Sequence, residues 1–157
     1  MTSTLRPPHR RLSTDMQVVA AEASFTRERL RTPLKLSSGA ITELYLAQVT
    51  VCVRDTDGRE ACGRGMIYLS DMWAWPSTQV DHRLRENAMR DLVYEIATAA
   101  PVLLEDWGHP LELGIRLHEA LPDFTLIPRG LPETMPLLAA GVCASPLDAA
   151  LHDAYGI

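Results

Sequence analysis

Lysine is almost absent from this sequence. Lys35 is the single lysine among 15 basic residues, so arginine supplies nearly all of the positive charge. This excludes lysine-based chemistry, such as Schiff-base formation, from nearly the whole chain. The 157 residues carry a formal net charge of −5, which argues against a general nucleic-acid binder.

Long apolar runs are also missing. No stretch reaches the roughly 18 consecutive apolar residues that suggest a membrane-spanning helix. The opening MTSTLRPPHRRL contains three arginines without an apolar segment after them, so it does not form a signal peptide. We therefore predict a disordered basic arm over residues 1–14, one globular domain over residues 15–157, and a cytoplasmic location.

Cysteine is scarce, and the three residues are Cys52, Cys62 and Cys143. The absence of a CxxC pair and of zinc-type His/Cys spacing argues against a zinc site. A two-residue hairpin turn at Asp57-Gly58 would place Cys52 and Cys62 on opposite faces of their strands. The sequence therefore predicts no disulfide between them, and buried free thiols in a reducing compartment.

Known catalytic motifs are missing as well. His118-Glu119 begins an H-E-x-x-H pattern, but proline stands where the second histidine would be. Asp148 and Asp153 are five apart on a predicted helix, so they do not converge on one ion and are interpreted as solvated or capping carboxylates. Ser145 lacks the flanking glycines of a nucleophile elbow. The sequence therefore argues against a self-contained active site.

The first half of the chain shows the alternation of apolar and polar residues that is typical of β-strands. The predicted strands are Met16–Phe25, Glu43–Arg54 and Glu60–Leu69, with the Asp57-Gly58 turn between the last two. Residues 26–40 carry charge, proline and glycine, and are predicted to form a long loop of the kind that is often functional.

Gly63 and Gly65 lie on one face of the third predicted strand. Glycine weakens a strand, so two on one face predict that another backbone packs closely there. The GRG segment is too short for a phosphate-binding loop.

The second half of the chain shows helical periodicity. A capping-box pattern, Thr78-x-x-Asp81, begins a helix that ends near residue 99, and further helices are predicted over residues 110–121 and 135–155. Three strands followed by three helices predict an α+β fold, in which a three-stranded antiparallel meander packs against a three-helix bundle.

The last predicted helix continues almost to the end of the sequence. Ser145 before Pro146 predicts a cap and a kink. Gly156 is expected just past the helix end. One apolar stripe follows the helical spacing, and it consists of Leu147, Ala150, Leu151, Ala154 and Tyr155. A helix that ends one or two residues before the last residue suggests that another domain follows.

The segment LSDMWAWPS, residues 69–77, holds two of the three tryptophans. Trp73 and Trp75 could cover the end of the core, or one of them could line a ligand site or a domain interface. The sequence leaves both interpretations open.

The order of strands, DG turn, G-x-G strand, aromatic segment and helices resembles the N-terminal capping domain of the enolase superfamily, in its mandelate racemase and muconate lactonizing branch. The family's capping helix carries a pattern like D-x-A-L-x-D, and residues 148–153 here are DAALHD. The family's hairpin continues into G-x-G-E, and residues 63–66 here are GRGM, with Met66 in place of glutamate. The resemblance covers residues 16–157.

The resemblance implies a (β/α)-barrel domain after residue 157, missing from this chain. In the family that barrel supplies lysine or histidine bases and three acidic ligands for Mg²⁺, and it stabilises the enediolate formed by removing a proton next to a carboxylate. No catalytic or metal-binding residue is therefore expected in this chain. The expected partners are the barrel, a small carboxylate substrate and, in some assemblies, further copies of the chain.

The resemblance also assigns a role to two segments, residues 26–38 and 69–77, which we call the lid segments. In the family two such loops close over the barrel mouth, exclude water and shape substrate choice. The residues that would provide apolar walls are Tyr68, Met72, Trp73 and Trp75. Arg31 or Lys35 would meet a substrate carboxylate.

Two other function classes compete with the lid hypothesis. The chain could be an independent interaction or homodimer module that reuses the capping fold, or a small enzyme built from scattered histidines and aspartates. The lid hypothesis predicts an exposed apolar face for docking to the barrel, formed in part by the stripe of the last helix.

Overall fold

The computed structural model describes residues 11–37 and 39–157. The elements are β1 (Met16–Leu36), β2 (Gly39–Asp55), β3 (Glu60–Leu69), α1 (Asp71–Ala74), α2 (His82–Leu103), α3 (Pro110–Thr125) and α4 (Leu137–Tyr155). The strands form one antiparallel sheet in the order β1-β2-β3. The predicted α+β class and meander are confirmed, and the one-turn helix α1 is an addition to the three predicted helices.

The first hairpin is much longer than predicted. β1 and β2 pair from Met16 opposite Asp55 to Leu36 opposite Gly39, so the prediction of a loop over residues 26–40 was wrong. The outer part of the hairpin buries few apolar side chains, and the period-two signal is therefore weak there. Cross-strand contacts support it instead, among them the ion pair of Arg27 with Glu43.

The core lies between the helices and one face of the sheet. The inward side chains of β2 are Ala47, Val49, Val51 and Val53, all of them buried. The sequence also predicts a helical stripe in α2 from Leu84 to Ile96, which is buried at Ala88, Met89, Leu92, Val93 and Ile96, whereas Leu84 is 49% exposed. α2 packs mainly on β1, and α4 packs on β3 and β2. The opposite face of the sheet is not covered by any helix of the described chain.

The close packing predicted at the two glycines of β3 is confirmed. A Cβ atom built on Gly63 would lie 2.1 Å from the backbone nitrogen of Ala154, and one built on Gly65 would lie 2.0 Å from the carbonyl oxygen of Pro146. Real Cβ atoms do not approach other heavy atoms so closely. The backbone of α4 therefore rests directly on β3 at these two positions.

The apolar stripe of α4 faces the sheet. Leu147, Ala150 and Leu151 have no exposed surface and Ala154 is 4% exposed, so the prediction that this stripe forms an exposed docking face was wrong. Tyr155 is the member that stays partly exposed, and its ring meets His109 edge to face. Large exposed apolar side chains occur elsewhere on the helices, at Val102, Leu111, Ile115, Leu137 and Leu138.

Several predicted helix ends differ from the structure. Asp81, not Thr78, caps α2, and its carboxylate accepts a hydrogen bond of 2.8 Å from the backbone N–H of Arg83. α2 continues past Pro101 to Leu103, and α3 continues to Thr125. Ser145 and Pro146 lie inside α4, which begins at Leu137, so the predicted cap at Ser145 was wrong; its hydroxyl donates to the carbonyl of Gly141.

Cys52 and Cys62 form a disulfide, which contradicts the prediction of free thiols at these positions. The turn is longer than two residues, because the N–H of Asp55 bonds to the carbonyl of Arg59. This shifts the register by one residue, so Cys52 lies directly opposite Cys62 on the same face. Disulfides are typical of oxidising environments. The prediction of a reducing compartment, which was based on free thiols at these positions, therefore has no support.

Cys143 is the one free cysteine of the described residues, and it is buried, as predicted. Burial raises the pKa of its thiol. We expect no reaction of the native protein with a thiol reagent such as dithionitrobenzoate. Unfolding without a reductant should expose one thiol per chain, and unfolding with a reductant should expose three. Three reactive thiols without reductant would contradict the disulfide.

The predicted disordered arm falls largely on residues 1–10, which lie outside the described residues. Residues 11–14 precede β1, and a turn there is fixed by Asp15, whose carboxylate accepts a hydrogen bond of 2.8 Å from the N–H of Leu12. No helix within the described ranges is long and apolar enough to cross a membrane.

Candidate functional site

The two lid segments meet at an open cleft beside the outer part of the first hairpin. The cleft has a volume of about 630 Å³ and lies between residues 40–45 of β2, residues 70–72 and the first turns of α2. A Cβ atom built on Gly39 would lie 2.9 Å from Cε of Met72, so the hairpin end and α1 touch. The cleft lining thus includes one residue of the first lid segment, Arg27, and residues 70–72 of the second.

A buried ion pair fixes α1 against α2. Asp71, 3% exposed, begins α1, and its Oδ2 accepts a hydrogen bond of 2.8 Å from Nε of Arg85 on α2. Arg85, 7% exposed, also donates to the carbonyls of Ser77 and Val80. One guanidinium therefore ties together α1, the connecting segment and α2.

His82 adds a further contact to the same carboxylate. Its Nδ1 lies 2.9 Å from Oδ1 of Asp71, and its ring is about half exposed at the edge of the cleft. Both oxygens of Asp71, a residue of the cleft lining, are thus occupied by hydrogen-bond partners.

The back of the cleft is formed by Tyr45 and two arginines. The guanidinium of Arg90 on α2 lies 4.2 Å from the centre of the Tyr45 ring, and that of Arg27 lies 5.8 Å from it. Such cation–π contacts hold the planar guanidinium groups in fixed positions.

The tryptophans of the second lid segment have separate environments. Trp73 on α1 is 60% exposed, whereas Trp75 is 1% exposed, and the indole N–H of Trp75 donates to Oε1 of Glu133 at 2.6 Å. Trp75 therefore covers the end of the core, one of the two interpretations left open by the sequence. Met72 lines the cleft.

The other predicted site residues are more scattered. Tyr68 points to the open face of the sheet, where its hydroxyl donates to Oε2 of Glu28 at 2.8 Å. Arg31 lies within a register shift of β1 between Arg29 and Leu34. Lys35 follows that shift and, by strand alternation, lies on the hairpin face opposite to Leu34. The structure therefore does not gather all six residues at one site.

Sequence reasoning missed three residues of the cleft: Tyr45, Arg83 and Arg90. Tyr45 was assigned only to the apolar pattern of a strand. Arg83 and Arg90 are seven apart on α2, which places them on the same side of the helix. That spacing was available in the sequence, but nothing there indicated that the hairpin would extend far enough to face it.

The hydrogen bond of Tyr68 to Glu28 raises the pKa of the tyrosine, with burial and the nearby charge acting in the same direction. A raised folded-state pKa means that this contribution to stability is full below the ordinary value of about 10 and is lost as the pH rises through the folded value. We expect Tyr68 to ionise above the ordinary pKa of about 10 in a titration followed by absorbance at 295 nm. Glu28→Ala should move that step to lower pH, and Tyr68→Phe should remove it.

No three histidine, cysteine, aspartate or glutamate side chains converge on a possible metal position within residues 11–37 and 39–157. This agrees with the geometry of the acidic residues at the cleft, where Asp71 is taken up by Arg85 and His82, and Glu43 by Arg27.

Comparison with solved structures shows which fold this is. An enolase from Bradyrhizobium, solved with magnesium and mandelic acid, superposes with a TM-score of 0.52 and 21% identity over 92% of this chain and 32% of its own. The chain thus has the fold of part of this enolase, as the sequence resemblance implied, and it spans about a third of that protein.

Two further solved proteins give weaker superpositions. L-talarate/galactarate dehydratase from Salmonella typhimurium LT2 is 18% identical, with a TM-score of 0.49 over 97% of this chain and 33% of its own. A mandelate racemase/muconate lactonizing protein from Herpetosiphon aurantiacus is also 18% identical, with a TM-score of 0.43 over 92% of this chain and 31% of its own. No protein-family model and no curated protein matches the sequence.

Proposed function

We propose that this chain is the substrate-specificity lid of an enzyme of the mandelate racemase and muconate lactonizing type. Such an enzyme removes a proton next to a carboxylate with the help of Mg²⁺, which stabilises the negative charge that develops. The observation that carries the proposal is the fold, which matches 92% of this chain to about a third of a magnesium-bound enolase. The catalytic base and the metal ligands are then residues of a barrel domain outside this sequence.

The structure of the lid segments supports this role. Trp73 on α1 is largely exposed, and the preceding residue, Met72, lines the cleft. Asp71 and Arg85 hold α1 from behind, so these two side chains are presented from a fixed backbone. Exposed apolar groups on a rigid support are suited to closing over a substrate and excluding water.

The first experiment is to determine the coding sequence beyond codon 157 in the source genome. We expect a continuous frame, or a neighbouring gene, that encodes a barrel with a lysine or histidine base and three spaced acidic ligands. The combined protein should exchange the α-proton of a carboxylate substrate for deuterium in the presence of Mg²⁺, and a chelator should stop the exchange.

The lid role itself predicts a change of specificity. In that full-length enzyme, Trp73→Ala should alter the ratio of kcat/KM between substrates of different size, while the melting temperature stays nearly constant because the ring is exposed. Trp75→Ala is the matched comparison, and should lower the melting temperature because its ring fills the core. A Trp73 variant that changes stability alone would count against the lid role.

A stand-alone interaction or homodimer module is the second candidate. The exposed apolar side chains on α2, α3 and α4 favour it, because exposed apolar surface is typical of sites that bind another protein. Sedimentation of the purified chain separates the candidates: a well-defined soluble dimer with no barrel gene nearby would favour the module. Turnover by the purified chain alone would instead favour a small independent enzyme.

A further inference from the structure

The cleft between the first hairpin and α2 is lined by equal numbers of arginines and carboxylates, and the carboxylates are those of Glu43, Asp71 and Glu86. Arg27, Arg83 and Arg90 line it. Arg29 follows on the same face of β1 as Arg27 by strand alternation, and it has no ion-pair partner among the described residues.

The acidic residues of the cleft are largely neutralised by other partners. Glu43 pairs with Arg27, and Asp71 pairs with Arg85, which lies behind the cleft rather than in its lining. Only Glu86 then remains to balance Arg83 and Arg90, neither of which forms an ion pair with any described residue. A surplus of guanidinium charge therefore faces the open volume.

Arg90 is held ready to bind an acceptor. Its guanidinium lies against Tyr45 at 4.2 Å, and its Nη2 donates to Oδ1 of Asn87. Its Nε is buried and has no hydrogen-bond partner within the described chain. Since Nε is occluded, the Nη groups are the donors of Arg90 that an oxyanion in the cleft could reach.

We propose that this cleft binds a carboxylate or phosphate group of a small molecule, with Arg83 and Arg90 as its principal ligands. The volume of about 630 Å³ is in the range of small-molecule sites. Within the proposed lid function, on which this step rests, the bound group is a second anionic group of the substrate, remote from the carboxylate whose α-proton is removed. The apolar part of the cleft includes Met72, Tyr45, Ile41 and Leu44.

The direct test is the binding of inorganic phosphate to the purified chain at constant ionic strength, followed by NMR or calorimetry. We expect saturable binding, and a dissociation constant at least about tenfold higher in Arg83→Gln and Arg90→Gln, since loss of one charge-assisted contact is worth about that factor. Arg54→Gln, at the far end of the sheet, is the matched control and should bind as the wild type does. Melting temperatures check that each variant is folded.

The second arm uses the full-length enzyme and compares a dicarboxylate with an analogue whose distal carboxylate is replaced by an uncharged amide. Arg83→Gln and Arg90→Gln should lower kcat/KM for the dicarboxylate about tenfold, with little change for the amide. Phosphate binding that is absent, or equal in all variants, would overturn the anion site and leave the lid function to be judged by α-proton exchange. Phosphate binding that is lost without a change in this preference would overturn the assignment to the substrate.

Discussion

Replacing Gly65 with alanine should destabilise this fold by about 3 kcal/mol, an amount typical of severe overpacking in a core. The new Cβ atom would lie 2.0 Å from the carbonyl oxygen of Pro146 and 2.8 Å from the backbone nitrogen of Ala150. Both neighbours are helix backbone, so no side chain can rotate away, and α4 must move off the sheet. Such a move would loosen the contact that buries Leu147 and Leu151.

The loss should appear as a fall in melting temperature of roughly 10 °C, given about 2–4 °C per kcal/mol for a chain of this size. Gly141→Ala is the matched control, because Gly141 lies in the same helix and an added Cβ would meet nothing within 4 Å. That variant should be neutral or more stable by up to about 1 kcal/mol, since alanine favours a helix over glycine. If Gly65→Ala behaved like Gly141→Ala, the direct contact of α4 with β3 would be refuted.

The close approach of α4 to β3 could be predicted because its cause is local. Two glycines at period two on one face leave a groove that only a backbone fills, whatever the rest of the chain does. The apolar alternation of β2 and the helical stripe of α2 are equally local, and both were confirmed except at Leu84, which is 49% exposed. The prediction for α4 was wrong about the direction in which its apolar stripe faces. The stripe was assigned to an outer surface, but it is the side of α4 that packs on the two glycines.

The long hairpin and the disulfide could not be predicted by the same means. Beyond Phe25 the paired strands leave the core, so their side chains no longer alternate in polarity, and pairing depends on the partner strand. The turn after Asp55 is fixed by its carboxylate, which accepts hydrogen bonds from the N–H groups of Asp57 and Arg59. One additional turn residue reverses the relation of Cys52 to Cys62, because side chains alternate at every position.

The cleft, as the candidate site, also could not be predicted from local sequence patterns. Its cations come from β1 and from α2, which are far apart in sequence, and they meet only because the hairpin extends past the sheet. The family resemblance pointed to residues 26–38 and 69–77, but not to the arginines of α2 that line the cleft. The pairing of Asp71 with Arg85 was likewise not visible, since a charge pair fourteen residues apart has no sequence signature outside a regular helix.

Replacing Arg85 with methionine should cost about 3–5 kcal/mol, the range for removing one partner of a buried ion pair. The Asp71 carboxylate, 3% exposed, would lose the guanidinium and keep only the contact to His82. The carbonyls of Ser77 and Val80 would also lose their donors. Methionine restores much of the lost volume, so the penalty reports on charge and hydrogen bonding rather than on a cavity.

Urea unfolding of four proteins measures this effect: the wild type, Arg85→Met, Asp71→Asn, and the double variant. The double variant should be more stable than the sum of the two single losses predicts, because it leaves neither charge buried without its partner. Arg54→Met is the matched control, since Arg54 pairs with Glu60 at a site where both side chains are about half exposed. It should cost no more than about 1 kcal/mol. An Arg85→Met variant as stable as this control would mean that the buried ion pair does not hold α1. The proposal that this pair fixes Met72 and Trp73 in the lid would then be refuted as well.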